Sequence, residues 1–287
     1  MTLAKLIALG VSLSVAMMVF GIALEAGSAG TRLSFRDCGL YFRSLAAMYL
    51  IMPALAVVVA LLFEVDRSLV IALALLALSP VPPALPGKQI KAGGSAEFVL
   101  GLLLVSALAA IGAVPAGVEA IGRIFGRELA VPFGVTARVV GASVLLPALA
   151  GLALARAAPT LAARIGVPLS RAATVLLIVL LIPVVVTGWD RLASHAGNFT
   201  ILAIVLFIAA GLLTGHLMGG PRPEHRTALA LATATRHPGV AIAVLHAVLP
   251  ESGDVAPVVI LYLVVAAIVS LPYLRWRQRA GPATIAD

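Results

Sequence analysis

SPVPPALPGKQIK, residues 79–91, interrupts what would otherwise be one continuous apolar helix. Pro80, Pro82 and Pro83 fall within four residues, and Pro86-Gly87 follows closely. Each proline removes a backbone donor and clashes with the preceding turn, so a regular helix cannot pass through. TATRHPGV, residues 233–240, is a second interruption, with Pro238-Gly239 between apolar flanks. Unwound backbone at membrane depth survives only where it is buried in protein or lines a cavity. The isolated Pro53, Pro147 and Pro183 read as kinks.

The sequence around these breaks requires a lipid solvent. The 287 residues are 62% hydrophobic and 11% charged, with a mean hydropathy of +1.13. A soluble domain is about 45–50% apolar and about 25% charged. Apolar runs long enough to span a bilayer cover roughly 3–24, 40–63, 68–92, 96–118, 133–157, 170–189, 198–218, 226–249 and 254–274. The expected fold is an all-α polytopic membrane protein of about nine helices, a single transporter unit over 1–287. The first run reads as a spanning helix and not as a cleaved signal, because no A-x-A-like site follows it. The third and eighth runs hold the two breaks and cross the membrane in opposite directions. Paired Gly/Pro-interrupted segments of that kind point to an inverted-repeat transporter with its binding site at the breaks.

Charge sets the expected orientation. Arg32, Arg36, Arg43, Arg156, Arg164, Arg171, Arg222, Arg226, Arg275, Arg277 and Arg279 share one side. Lys5, Arg67, Arg123, Arg127, Arg138 and Arg191 share the other, several offset by acids such as Glu64, Asp66 and Glu128. The positive-inside tendency then places the N-terminus outside and the C-terminus in the cytoplasm; the expected location is a bacterial inner (plasma) membrane. The mixed charges around 119–138 predict a short helix lying at the interface.

The net charge of +8 does not indicate nucleic acid, because the basic residues sit in short loops between apolar runs. The lone Cys38 excludes an internal disulfide and a cysteine metal site. No phosphate-cradling GxxxxGK[ST], HExxH or nucleophile motif occurs. The expectation is therefore no enzyme, no cofactor and no metal.

Several stretches resemble the bile acid:sodium symporter family. SVAMMVFGIALEAGSAGTRLSFRDC (14–38) is similar to its "MMFGMGL…F" helix, and LIMPALAVVVALL (50–62) to the helix carrying "MP". The segment 73–108 aligns without a gap to its "CPGGTASNVMTYLARGN" segment, with Pro80 and Gly94 in register. TALALATATRHPGVAIAV (227–244) resembles its "EVGMQNSGLAAAL" crossover, with Gly239 on the glycine. The resemblance implies a panel domain, expected over about 3–63 and 133–189. It also implies a core domain with two crossing broken helices, expected over about 68–118 and 198–274.

The family's sodium-ligand positions do not carry over. The Ser-Asn pair of the first crossover becomes Leu85-Pro86, and the Ser and Thr of the next helix become Val99 and Leu103. The Gln before "MP" becomes Met48, the shared Glu becomes Ala232, and the Gln one turn later becomes Arg236. The resemblance therefore implies a secondary carrier of a small organic anion that works without sodium. The alternatives are a non-transporting scaffold or sensor, and a sodium carrier with relocated ligands.

An ionisable group at membrane depth is a functional candidate. Arg236 reads as a fixed cation in place of sodium, or as a structural residue held by Glu97 or by a backbone carbonyl. Lys88 lies either in the same site or at the cytoplasmic rim. His237 is a candidate for proton coupling, or a satisfied polar residue at a helix break. Glu97 is either the partner of a crossover cation or an interfacial residue. Thr233 and Thr235 offer hydroxyls, and Pro86, Gly87, Pro238 and Gly239 shape the breaks. His216 and His246 read as packing or helix-end residues.

Overall fold

The computed structural model describes residues 3–30, 37–63, 65–194, 197, 199–252 and 254–280, which form helices with no strand among them. Arg32, Arg36 and Glu64 of the charge map lie outside the described residues.

The chain begins with α1 (Leu3–Ser28). The next pass comprises α2 (Cys38–Ala46), a π turn (Ala47–Ile51) and α3 (Met52–Leu62). Helix α4 (Arg67–Leu78) enters the first interruption and α5 (Pro86–Lys91) leaves it. Then come α6 (Ala96–Ile124), α7 (Phe133–Val140), a second π turn (Gly141–Leu145), α8 (Leu146–Ala157), α9 (Pro159–Thr187) and the short α10 (Trp189–Ser194). After α11 (Thr200–Met218), helices α12 (Pro223–Ala234) and α13 (Pro238–Val248) flank the second interruption, and α14 (Val255–Arg279) ends the described chain.

Eight of these helices, with α2–α3, α7–α8 and α12–α13 each taken together, are long and apolar enough to cross a membrane among the described residues. The shorter apolar α4 and α5 supply the remaining broken pass. The protein is an all-α integral membrane protein of about nine passes, as its hydropathy predicts. One local expectation fails. No interfacial helix occupies 119–138: α6 continues to Ile124, with Glu119 and Arg123 paired at 2.5 Å on its last turns, and an irregular loop follows.

Both breaks arise where the sequence demands them, but slightly upstream of the Pro-Gly pairs. Ser79, which precedes Pro80, is extended at ψ 151, and α4 ends there. The residue before a proline is driven out of the α region by the ring. Thr235 (φ −124, ψ 127) ends α12, and His237 is extended before Pro238. Pro86 and Pro238 instead open the following helices, at the one helical position where a missing N–H costs nothing.

Packing divides the helices into two sets. Helix α1 lies against α8 and α9 through small residues. A Cβ on Gly151 would meet Ala23 Cβ and Phe20 O at 2.7 Å, and one on Gly21 would meet Ser170 N at 2.8 Å. Ser170 Oγ also donates to the Glu25 carboxylate on α1. The second set gathers the broken helices with α6, α11 and α14. There Gly211, Gly215 and Gly219 repeat every fourth residue along α11, and a Cβ on each would strike the backbone of Ala234, Ala230 or Arg226 on α12. Lipid supplies no hydrophobic drive between helices, so close backbone approach does the work.

The grouping differs from the sequence expectation at the pass 38–62 and at α7, which packs against α6 and α13. The pass 38–62 packs against α4, α6 and α11, and not with α1. Its membership in the crossover set follows from two bonds: Tyr49 donates to Ser106 O on α6 at 2.7 Å, and Met48 O accepts from Arg236.

Candidate functional site

The two interruptions meet, and the question at their meeting point is where the freed backbone groups find partners. The proline-rich segment 79–85 is rich in carbonyls and poor in N–H groups. His237 N–H donates to Pro80 O at 3.0 Å, stitching one crossover to the other. Arg236, fully buried, donates through Nη1 to Ser79 O at 3.2 Å and through Nη2 to Met48 O at 2.6 Å. Tyr262 on α14 donates to Ala234 O, the last residue of α12, at 2.7 Å. Gln89 Nε2 ties α5 to Ala228 O on α12 at 2.6 Å. Val81 N–H reaches Ser106 Oγ at 3.4 Å.

Met48 O is free to accept for a local reason. Its helical donor would be Met52 N–H, but in the π turn that group bonds Ala47 O instead. The next candidate, Pro53, has no N–H. The π turn thus turns one buried carbonyl towards the crossing point, and Arg236 takes it.

The guanidinium also sits where two helices end. The C-termini of α4 and α12 both stop at the crossing, and each carries a partial negative charge of roughly half an electron. A fixed cation there answers two helix dipoles and two carbonyls, although no carboxylate touches it among the described residues. The hydroxyls of Tyr49 and Tyr262 lie within electrostatic range.

His237 has a different task. Its Nδ1 accepts from Gly239 N–H at 3.1 Å and Val240 N–H at 3.4 Å, which caps α13. Accepting at Nδ1 places the ring proton on Nε2. That Nε2–H is buried and has no hydrogen-bond partner. Protonating Nδ1 as well would set an N–H against two backbone N–H groups, so the geometry holds His237 as a neutral donor and gives no support to a proton carrier.

His237 also lines a cavity of about 300 Å³. One wall comes from the first helix set, through Val11, Val15, Leu177 and Leu181. The other is the crossover itself, with Pro82, Pro83, Leu85, Thr235, His237, Pro238 and Gly239, and part of α14 including Ser270. Lys88 lines it and is exposed; no acidic residue does so among the described residues. Ser270 Oγ is a second buried polar atom without a partner at this wall.

The structure therefore brings together Lys88, Thr235, His237, Pro238 and Gly239 around the cavity, with Arg236 behind them. Pro86 and Gly87 start α5 but do not line it. Thr233 bonds back to Leu229 O at 2.8 Å within α12. Glu97 is not the partner of a crossover cation: it lies in a polar cleft with Asp37, Arg43, Arg222, Glu224 and His225. Its position at the start of α6 puts it one end of the membrane away from Arg236, which two carbonyls hold instead. His216 packs on Trp276 and bonds Tyr273 Oη at 2.9 Å, and His246 is exposed at the end of α13.

Ser79, Gln89, Ser106, Tyr262 and Ser270 had not stood out in the sequence, and Met48 only as the residue at a family sodium-ligand position. Three act through a carbonyl or a hydroxyl that no side-chain pattern reveals. Tyr262 and Gln89 did carry a signal: each is a hydrogen-bonding side chain inside an apolar run, where a partner is required.

Among curated proteins, none matches the chain. A family model does: that of the Sodium Bile acid symporter family matches residues 10–195, more than half of the sequence, and ends before the second crossover. The matched stretch contains most of the first helix set, both π turns and the whole of the first interruption, so the chain belongs to the sodium bile acid symporter family.

Proposed function

We propose that the protein is a sodium-independent secondary carrier of a small organic anion, working by alternating access. The observation that carries this reading is the cavity shared by the two helix sets at the crossing. It is lined by Lys88 and by His237, whose buried Nε2–H has no partner, and no acidic residue lines it among the described residues. A carboxylate or sulfonate would satisfy both donors, while the aliphatic walls suit an apolar body. Burial of an unpaired donor is costly unless something accepts from it.

Sodium independence rests on Arg236. In the family resemblance it stands where a sodium-ligating Gln would be, with Ala232 in place of the shared Glu. A guanidinium that cannot deprotonate supplies the positive charge permanently. The first helix set, α1 with α8 and α9, would act as the panel, and the crossover set, which includes 38–62, as the moving core. The proposed setting is a bacterial inner membrane, N-terminus outside and C-terminus in the cytoplasm.

The test is uptake of labelled organic anions into proteoliposomes, with sodium, proton gradient and potential varied one at a time. Uptake is expected to run at the same rate in sodium and in choline. His237→Asn keeps a good helix cap but removes the Nε2 donor, and should cut uptake about tenfold, the loss of roughly one charge-assisted hydrogen bond. Lys88→Gln should do likewise. Sodium-stimulated uptake would replace this reading with a carrier whose ligands have moved. Retained anion binding without any uptake would replace it with a scaffold or sensor.

A further inference from the structure

A second cavity, of about 350 Å³, lies where α4 starts and where α6 and α13 finish. Its walls are aliphatic: Val70 and Leu75 from α4, Val118 and Ile121 from α6, Leu245 and Val248 from α13. The chain path separates it from the first cavity. Helix α4 precedes the first break and α13 follows the second, whereas Lys88 lies beyond the first break. The two linings share no residue.

The charged members of this second lining are Arg67 and Arg127, both exposed. Neither guanidinium makes a hydrogen bond or an ion pair among the described residues, whereas nearby Arg123 is held by Glu119 at 2.5 Å. Asp66 and Glu128, adjacent in sequence, are not part of the lining. A neutral apolar solute would leave two guanidinium groups idle, and an inorganic anion would leave the aliphatic walls in water. The chemistry that answers both is a single molecule with an anionic head and an aliphatic body.

We propose that this cavity binds an anionic amphiphile, its head between Arg67 and Arg127 and its body along α4, α6 and α13. A free long-chain carboxylate and an anionic phospholipid share that chemistry. Such a ligand would touch the outer halves of both broken helices, α4 and α13, at a place separate from the crossover cavity.

The experiment uses the full-length protein in phosphatidylcholine vesicles and a photoactivatable long-chain fatty carboxylate, with adducts mapped on peptides. Adducts are expected on 65–78, 118–129 and 245–249. They should fall roughly fivefold in the Arg67→Gln/Arg127→Gln double variant, as expected for losing about two exposed charge contacts. They should persist in the Arg67→Lys/Arg127→Lys variant, and the unfolding midpoint of both should match the parent. Competition by added phosphatidylglycerol supports the proposal with a bilayer lipid as occupant, and undiminished adducts support it with the free carboxylate. Equal labelling in the parent and the Gln variant, or labelling spread along lipid-facing α9, overturns it.

Discussion

The two crossovers share a shape but not a chemistry. Residues 79–85 are a run of acceptors: prolines have deleted the donors, leaving Ser79 O and Pro80 O turned inward. Residues 235–237 are donors: the Arg236 guanidinium and the His237 N–H are what those carbonyls receive. The crossing point is held by one crossover supplying positive charge to the other. The two breaks are thus alike in backbone and complementary in side chains.

The largest blow to that complementarity is Arg236→Met. Two orphaned carbonyls cost about 1–3 kcal/mol each, and shedding a desolvated guanidinium returns part of it. The net expectation is a loss of about 2 kcal/mol, read as a lower unfolding midpoint in detergent. Arg236→Lys keeps the charge between the helix ends and should recover part of the loss. A Met variant as stable as the parent would mean that the crossing does not need its cation.

Tyr262→Phe probes one acceptor at the end of α12. It leaves Ala234 O without its partner and should cost about 1 kcal/mol, since hydrogen bonds between membrane helices are worth roughly 0.6 and at most about 1.7. No change in the same unfolding assay would show that water or a shifted backbone serves this carbonyl. Thr233→Val is the control within the second crossover. Its hydroxyl only returns to Leu229 O, a carbonyl already served by the helix ladder. The change should stay under about 0.5 kcal/mol, with uptake unaltered. A larger effect would place Thr233 in the site after all.

Much of this was legible in the residues. The apolar runs and the two proline clusters announce membrane passes and two breaks, because each is a local property: bilayer thickness sets the length and a missing N–H sets the break. The breaks nevertheless begin before the Pro-Gly pairs, at Ser79 and Thr235, because proline disturbs the residue ahead of it and itself starts the next helix. The GxxxG repeat at Gly211, Gly215 and Gly219 was equally local and would have placed α11 against α12.

The sequence by itself determined that this chain lives in a membrane, crosses it about nine times and breaks twice, and that Arg236 and His237 stand at the second break. It also left open what would hold Arg236, with Glu97 or a carbonyl as the choices. Only the tertiary structure decided for the carbonyls, because the partner is the backbone of Met48 and Ser79 and backbone groups have no signature in residue type. The membership of 38–62 was decided the same way, since two apolar helix faces look alike until a π turn aims one carbonyl at a distant cation.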